Sequence, residues 1–83
     1  MVANNFHKEY KVLINLIYAY RIKAGLKQIE VAEKLNVPQS FISKIENGER
    51  KIDLVELIRL CEIFNIPIQE FIETYFKLIN ESK

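Results

Sequence analysis

A single cysteine, Cys61, excludes an intramolecular disulfide framework and any cysteine-based zinc site. Glycine and proline occur twice each. Turns are therefore few, hairpin-rich β folds are disfavoured, and no glycine-rich loop is available to cradle a phosphate. No apolar run approaches the roughly 18 residues that a membrane span needs. The opening MVANNFHKEY has no basic stretch leading to a small-residue cleavage site, so it does not read as a signal peptide. The lone histidine, His7, has no second ligand near it in sequence and reads as a solvated helix residue. No Ser-His-Asp set and no metal-ligand cluster is present, and Glu70 with Glu73 reads as a solvated helix face rather than a catalytic dyad. These absences argue against an enzyme, a metal site or a bound cofactor. They point to a soluble chain in a reducing, cytoplasmic setting.

What is present suffices for one domain. Over 83 residues, 49% are hydrophobic. A chain of this length buries about 64% of its unfolded surface, so a core forms without staples. The net charge of +1 hides a division along the chain. Residues 1–51 carry nine bases against five acids, and residues 52–83 carry three against six. A basic front and an acidic rear suggest one side that faces an anion.

Five helical segments are legible in the spacing of apolar residues. The first spans about Asn5 to Ala24, with Phe6, Tyr10, Leu13, Ile14, Ile17 and Arg21 on one face. Asn5 is its expected N-cap and Gly25 its left-handed terminator. The second spans about Gln28 to Leu35, with Ile29, Ala32 and Leu35 as its stripe and Val31 flanking; Asn36 can end it. The third spans about Gln39 to Asn47, with Ile42 and Ile45 inward and Gly48 as its stop. The fourth spans about Leu54 to Asn65, with Asp53 and Glu56 at capping-box spacing. It carries more apolar residues than one stripe holds, so cover on two sides is expected. The fifth runs from near Pro67 to about Asn80, with Ile68, Phe71, Ile72, Tyr75, Phe76 and Ile79 on one face and a frayed tail after it. Cys61, between Ile58 and Phe64, reads as an inert core thiol. The expected fold is all-α, a compact five-helix bundle.

Residues 28–47 carry the function. Two short amphipathic helices are joined by Asn36-Val37-Pro38, a turn too tight for antiparallel packing, so they cross steeply. The second keeps a polar outward face of Gln39, Ser40, Ser43 and Lys44. Short amide, hydroxyl and ammonium groups suit entry into a DNA major groove, where they can bond base edges. The run LKQIEVAEKLNVPQSFISKIENGER, from Leu26 to Arg50, resembles the Cro/C1 (XRE) family of helix-turn-helix DNA-binding proteins. Gln28, Ala32, Leu35, Val37, Ser43, Ile45, Glu46 and Gly48 fall in register, and the likeness extends over about Leu13 to Phe64. Size and layout are similar to small restriction-modification controller proteins and phage-type repressors.

The resemblance implies a lambda-repressor-like DNA-binding domain over 1–83 and a role for each matching residue. Gln28 meets a phosphate. Gln39 and Ser40 read bases, with Ser43 and Lys44 one turn on. Lys44 reaches a guanine or a phosphate. Phe41 touches a thymine methyl or the sugar backbone. Asn47, Arg50 and Lys51 form a second phosphate clamp, and Arg21 with Glu46 forms a partly buried ion pair. Three departures from the family pattern stand out: Lys27 where a hydroxyl or amide cap is common, Asn36 for the usual glycine, and Pro38 ahead of the recognition helix.

Residues 53–80 are expected to hold a homodimer interface on Phe71, Ile72, Tyr75, Phe76 and Ile79. A symmetric dimer would match a palindromic operator. The function so implied is a sequence-specific transcriptional regulator, with duplex DNA and a second copy as partners and RNA polymerase blocked or recruited at a promoter. The alternative is an antitoxin or protein-interaction module that uses the acidic C-terminal half, with autoregulatory DNA binding or none.

Overall fold

The computed structural model describes residues 3–81, with side chains from His7 onward. Its elements are α1 (Ala3–Lys23), α2 (Gln28–Leu35), α3 (Gln39–Glu46), α4 (Leu54–Ile63) and α5 (Ile68–Glu81). All regular structure among the described residues is helical. α1 begins at Ala3, so Asn5 lies inside the helix rather than capping it. The side chain of Phe6 and the tail residues Ser82 and Lys83 lie outside the described residues.

Four of the helices stop by one device. Gly25, Asn36, Gly48 and Asn65 all adopt positive φ, between 62° and 78°. Each lets the next N–H fold back onto a carbonyl five residues earlier: Leu26 to Arg21, Val37 to Ala32, Glu49 to Lys44 and Ile66 to Cys61. These bonds satisfy carbonyls that a helix end leaves without partners. Helix starts are less uniform. Asp53 caps α4 fully, its carboxylate accepting from Glu56 N–H while Glu56 accepts from Asp53 N–H. Lys27 has no acceptor to offer α2, so only the reverse half of that box forms, from Lys27 N–H to Glu30 Oε1 at 2.7 Å. Pro38 precedes α3 with no side-chain cap.

The core gathers Ile14, Ile17 and Tyr20 of α1, Val31 and Ala32 of α2, Ile42 and Ile45 of α3, Leu57, Leu60, Cys61 and Phe64 around α4, and Phe71 of α5. α2 packs chiefly on α3; α4 backs α2, and α1 backs α3. The buried stripe of α2 starts at Gln28 and steps to Val31, Ala32 and Leu35. Ile29 lies about 100° off that line and is exposed, so Val31 takes the core place expected for Ile29.

α4 is covered on one side within the chain, not two. Leu57, Leu60 and Cys61 are buried, while Leu54 and Val55 are 62% and 65% exposed. The stripe on α5 also divides. Phe71 is fully enclosed, with its ring 5.6 Å from that of Tyr20, and Ile79 is buried. Neither offers surface to a second copy, so both belong to the core rather than to a dimer face. Tyr75 is half-buried and its hydroxyl donates to the Glu9 carbonyl, tying α5 to α1. Ile72 is half-buried and Phe76 stands out at 58% exposure.

Candidate nucleic-acid interface

Arg21, near the end of α1, and Glu46, at the end of α3, are fixed by the helices that carry them. Their side chains, 9% and 6% exposed, form a two-pronged ion pair: Nε to Oε2 at 2.6 Å and Nη2 to Oε1 at 3.0 Å. The remaining guanidinium nitrogen donates to the Leu26 carbonyl at 2.9 Å, just after the α1 terminator. The planar fork of arginine matches a carboxylate in this way, and burial makes each partner dependent on the other. The pair thus locks the first and third helices and the loop before α2.

The same carboxylate reaches outward. Gln28, first residue of α2, donates through Nε2 to Glu46 Oε1 at 2.9 Å. Gln28 Oε1 in turn accepts from Gln39 Nε2 at 3.4 Å. A chain of bonds therefore runs from the core ion pair through Gln28 to the first residue of α3. Gln39 keeps its carbonyl oxygen and its second amide hydrogen for an outside partner.

α3 is anchored by buried Ile42 and Ile45 and exposes Gln39, Ser40 and Lys44. Ser43 is half-buried and its hydroxyl donates to the Ser40 carbonyl at 3.3 Å. The outward face is thus short and polar, with one cation and no acid. Asn47 and Gly48 are exposed just beyond the helix end.

Arg50 is placed differently from expectation. Its guanidinium donates to both carboxylate oxygens of Glu56, at 3.1 and 3.0 Å, and to the Lys51 carbonyl at 2.9 Å. It also lies 3.9 Å from the centroid of the Phe41 ring. Arg50 is therefore a strut between α3 and the start of α4, and Phe41 is the platform beneath it rather than a free apolar contact for a thymine methyl. The Arg50 guanidinium holds the Glu56 carboxyl below its usual range, and Glu56 raises Arg50 in return.

Lys51 is exposed, with Nζ 4.0 Å from the Tyr10 ring centroid. The Tyr10 hydroxyl accepts from Ile52 N–H at 2.9 Å, so the connector is pinned to α1 beside that lysine. Glu56 and Tyr10 are the two site residues that sequence reasoning missed. For Glu56 the capping-box spacing gave a sufficient local role. For Tyr10 the only signal was its place on the inward face of α1. Elsewhere, burial pushes the Cys61 thiol up to about 11, which keeps it protonated and unreactive. No helix among the described residues is long and apolar enough to cross a membrane, and no group of acids, histidine and cysteine there could hold a metal ion.

Residues 17–71 match the helix-turn-helix family model. The chain belongs to this helix-turn-helix family. An XRE-family like protein from Pseudomonas syringae pv. tomato str. DC3000 superposes with a TM-score of 0.85 at 30% identity, covering 94% of this chain and 98% of that one. The wild-type restriction-modification controller protein C.Esp1396I superposes with a TM-score of 0.79 at 24% identity, over 86% of this chain and 93% of that chain. A point mutant of that controller gives 0.81 at 24% identity, over 90% and 95%. At that identity the controller likeness bears on the fold alone. No curated protein sequence matches the chain. As an XRE-type member, the protein is a DNA-binding regulator of transcription, and α2 with α3 is its helix-turn-helix.

Proposed function

We propose that the protein binds a two-fold symmetric operator as a homodimer, with α3 of each copy in the major groove. The observation that carries this is the outward row on α3: exposed Gln39, Ser40 and Lys44 above buried Ile42 and Ile45. Gln39 is held through one amide hydrogen on Gln28. Its other hydrogen and its oxygen match the N7 and N6 groups of adenine, the pairing a glutamine makes in a major groove. Ser40 and Ser43 add hydroxyls, and Lys44 supplies a cation for a guanine or a phosphate. Gln28 presents its backbone N–H at the start of α2 to a phosphate, while its side chain steadies Gln39. Asn47 and Lys51 serve the second backbone contact, and Arg50 supports that loop from behind.

The dimer face draws on Ile72 and Phe76 of α5 together with Leu54, Val55 and the half-buried Ile58 of α4. These two helices pack together and leave large apolar side chains outside. A second copy covers them at the cost of little polar surface. Such a dimer sets its two α3 helices one DNA turn apart, roughly 34 Å. Bound at a promoter, such a dimer would block polymerase or recruit it. The reading is tested by titrating the protein with duplex DNA at several salt concentrations. Affinity should fall steeply as salt rises, since each neutralised phosphate contributes about −0.9 to the logarithmic slope. Absent or salt-indifferent binding contradicts it and favours a protein partner for the acidic rear half.

A further inference from the structure

One cleft lies away from the outward face of α3, between α1 and the turn that follows α3, with Tyr10 and Ile14 as its apolar floor and polar side chains along its walls. It encloses about 330 Å³, with His7, Lys11 and Asn15 on the α1 wall and Asn47 and Lys51 on the other. Positions 7, 11 and 15 follow one another at helical spacing, so their side chains line one wall about 6 Å apart. The single acid at the lining is Glu46. Its two carboxylate oxygens are already taken by Arg21 and Gln28. Among the described residues neither Lys11 nor Lys51 joins an ion pair. Lys51 is nevertheless held in place, because the Tyr10 ring lies under Nζ and the Tyr10 hydroxyl pins the next residue. An aromatic face attracts an ammonium without cancelling its charge. The cleft therefore carries two cations outside any ion pair and two asparagines on opposite walls, and of these Lys51 is held in place before any ligand arrives.

We infer that this cleft is a phosphate-binding site, and that it takes a backbone phosphate of the bound duplex. Asn47 and Lys51 are shared between the cleft and the second backbone contact, and Lys11 faces them from the α1 wall, so a phosphate held there would meet Lys11 as well. The contact would thus extend beyond the helix-turn-helix onto the first helix. The source of the phosphate rests on the DNA-binding reading above; the chemistry of the cleft does not.

The test uses the full chain with Lys11→Gln, and Lys77→Gln on α5 as a control. Circular dichroism checks that both variants keep the fold. Affinity for a fixed duplex is measured between about 50 and 200 mM salt. One lost phosphate contact lowers the logarithmic slope by about 0.9, so the wild type should lose about 3.5-fold more affinity over that range than Lys11→Gln. Lys77→Gln should follow the wild type. In parallel, inorganic phosphate is titrated into the DNA-free protein while backbone amides are followed by NMR. Amide shifts at Lys11, Asn15, Asn47 and Lys51, with an unchanged DNA slope in Lys11→Gln, keep the phosphate site but assign it to a free phosphate. An unchanged slope together with unmoved amides overturns the site. If the wild type binds no DNA at all, the regulator reading fails separately, and the phosphate titration alone decides.

Discussion

Loss of the Glu46 carboxylate would strand both arms of Arg21 and the amide of Gln28. Breaking a buried pair by removing one partner costs about 3–5 kcal/mol. Glu46→Gln is therefore expected to lower the melting temperature by more than about 10 °C in a domain of this size. A shift within a few degrees in calorimetry contradicts the locking role. Glu56 gives a second, pH-dependent outcome. Arg50 holds its carboxyl below the ordinary value of 4.5. A lowered folded value means the stabilisation is complete above the unfolded value and is lost as pH falls through the folded one. Glu56→Gln should thus be less stable than the wild type at pH 7, by under about 1 kcal/mol for a pair this exposed. The gap should close in strong acid. Urea midpoints at pH 7 and pH 3 check this, and a gap of constant size contradicts it.

Helices in this chain end on residues that tolerate positive φ, and two of those are asparagines. At Asn36 a side chain without the local hydrogen-bonding capacity of asparagine is strained by about 1–2 kcal/mol. Asn36→Ala is expected to lower the urea midpoint and Asn36→Gly to keep or raise it. Equal midpoints for all three residues contradict the terminator role. The stops at Gly25, Asn36 and Gly48 were legible in sequence because the requirement for positive φ is local and few residues meet it. The short α2 and α3 were legible for the same reason, together with the spacing of Ile42 and Ile45. Which face of an element meets which neighbour was less legible. Ile29 and Val31 differ by two positions, and only the crossing of α2 with its neighbours decides that Val31 is inside. On α5 the aromatic face read as one surface, yet Tyr20, far away in sequence, packs on Phe71 in the core while Phe76 stays outside. Arg50 read as a free cation because Glu56 already had a role three residues from Asp53. One carboxylate performs both tasks, and spacing alone does not reveal a second partner.

At the scale of the molecule, the candidate DNA face and the apolar face of α4 and α5 fall on different elements. The polar face of α3 and the cations beyond it lie in the basic front, while the exposed apolar residues of α4 and α5 lie in the acidic rear half. The proposed dimer, joined at the rear, would leave both copies of α3 open and keep excess acid away from phosphate. Phe76→Glu, at a side chain more than half exposed within one chain, should give monomers in sedimentation and weaken operator binding far more than nonspecific binding. Dimers that persist in this variant would return Phe76 to an ordinary surface residue.

Selection of bound duplexes from a random pool, run with the wild type and with Gln39→Ala/Ser40→Ala, addresses the central claim most directly. The wild type should enrich a symmetric site whose half-sites are one DNA turn apart and include adenine opposite Gln39. The double variant should keep salt-dependent affinity yet lose that preference, since each good base contact contributes about 1–3 kcal/mol of discrimination. Enrichment of the same site by the variant, or of none by the wild type, would contradict α3 as the reading element.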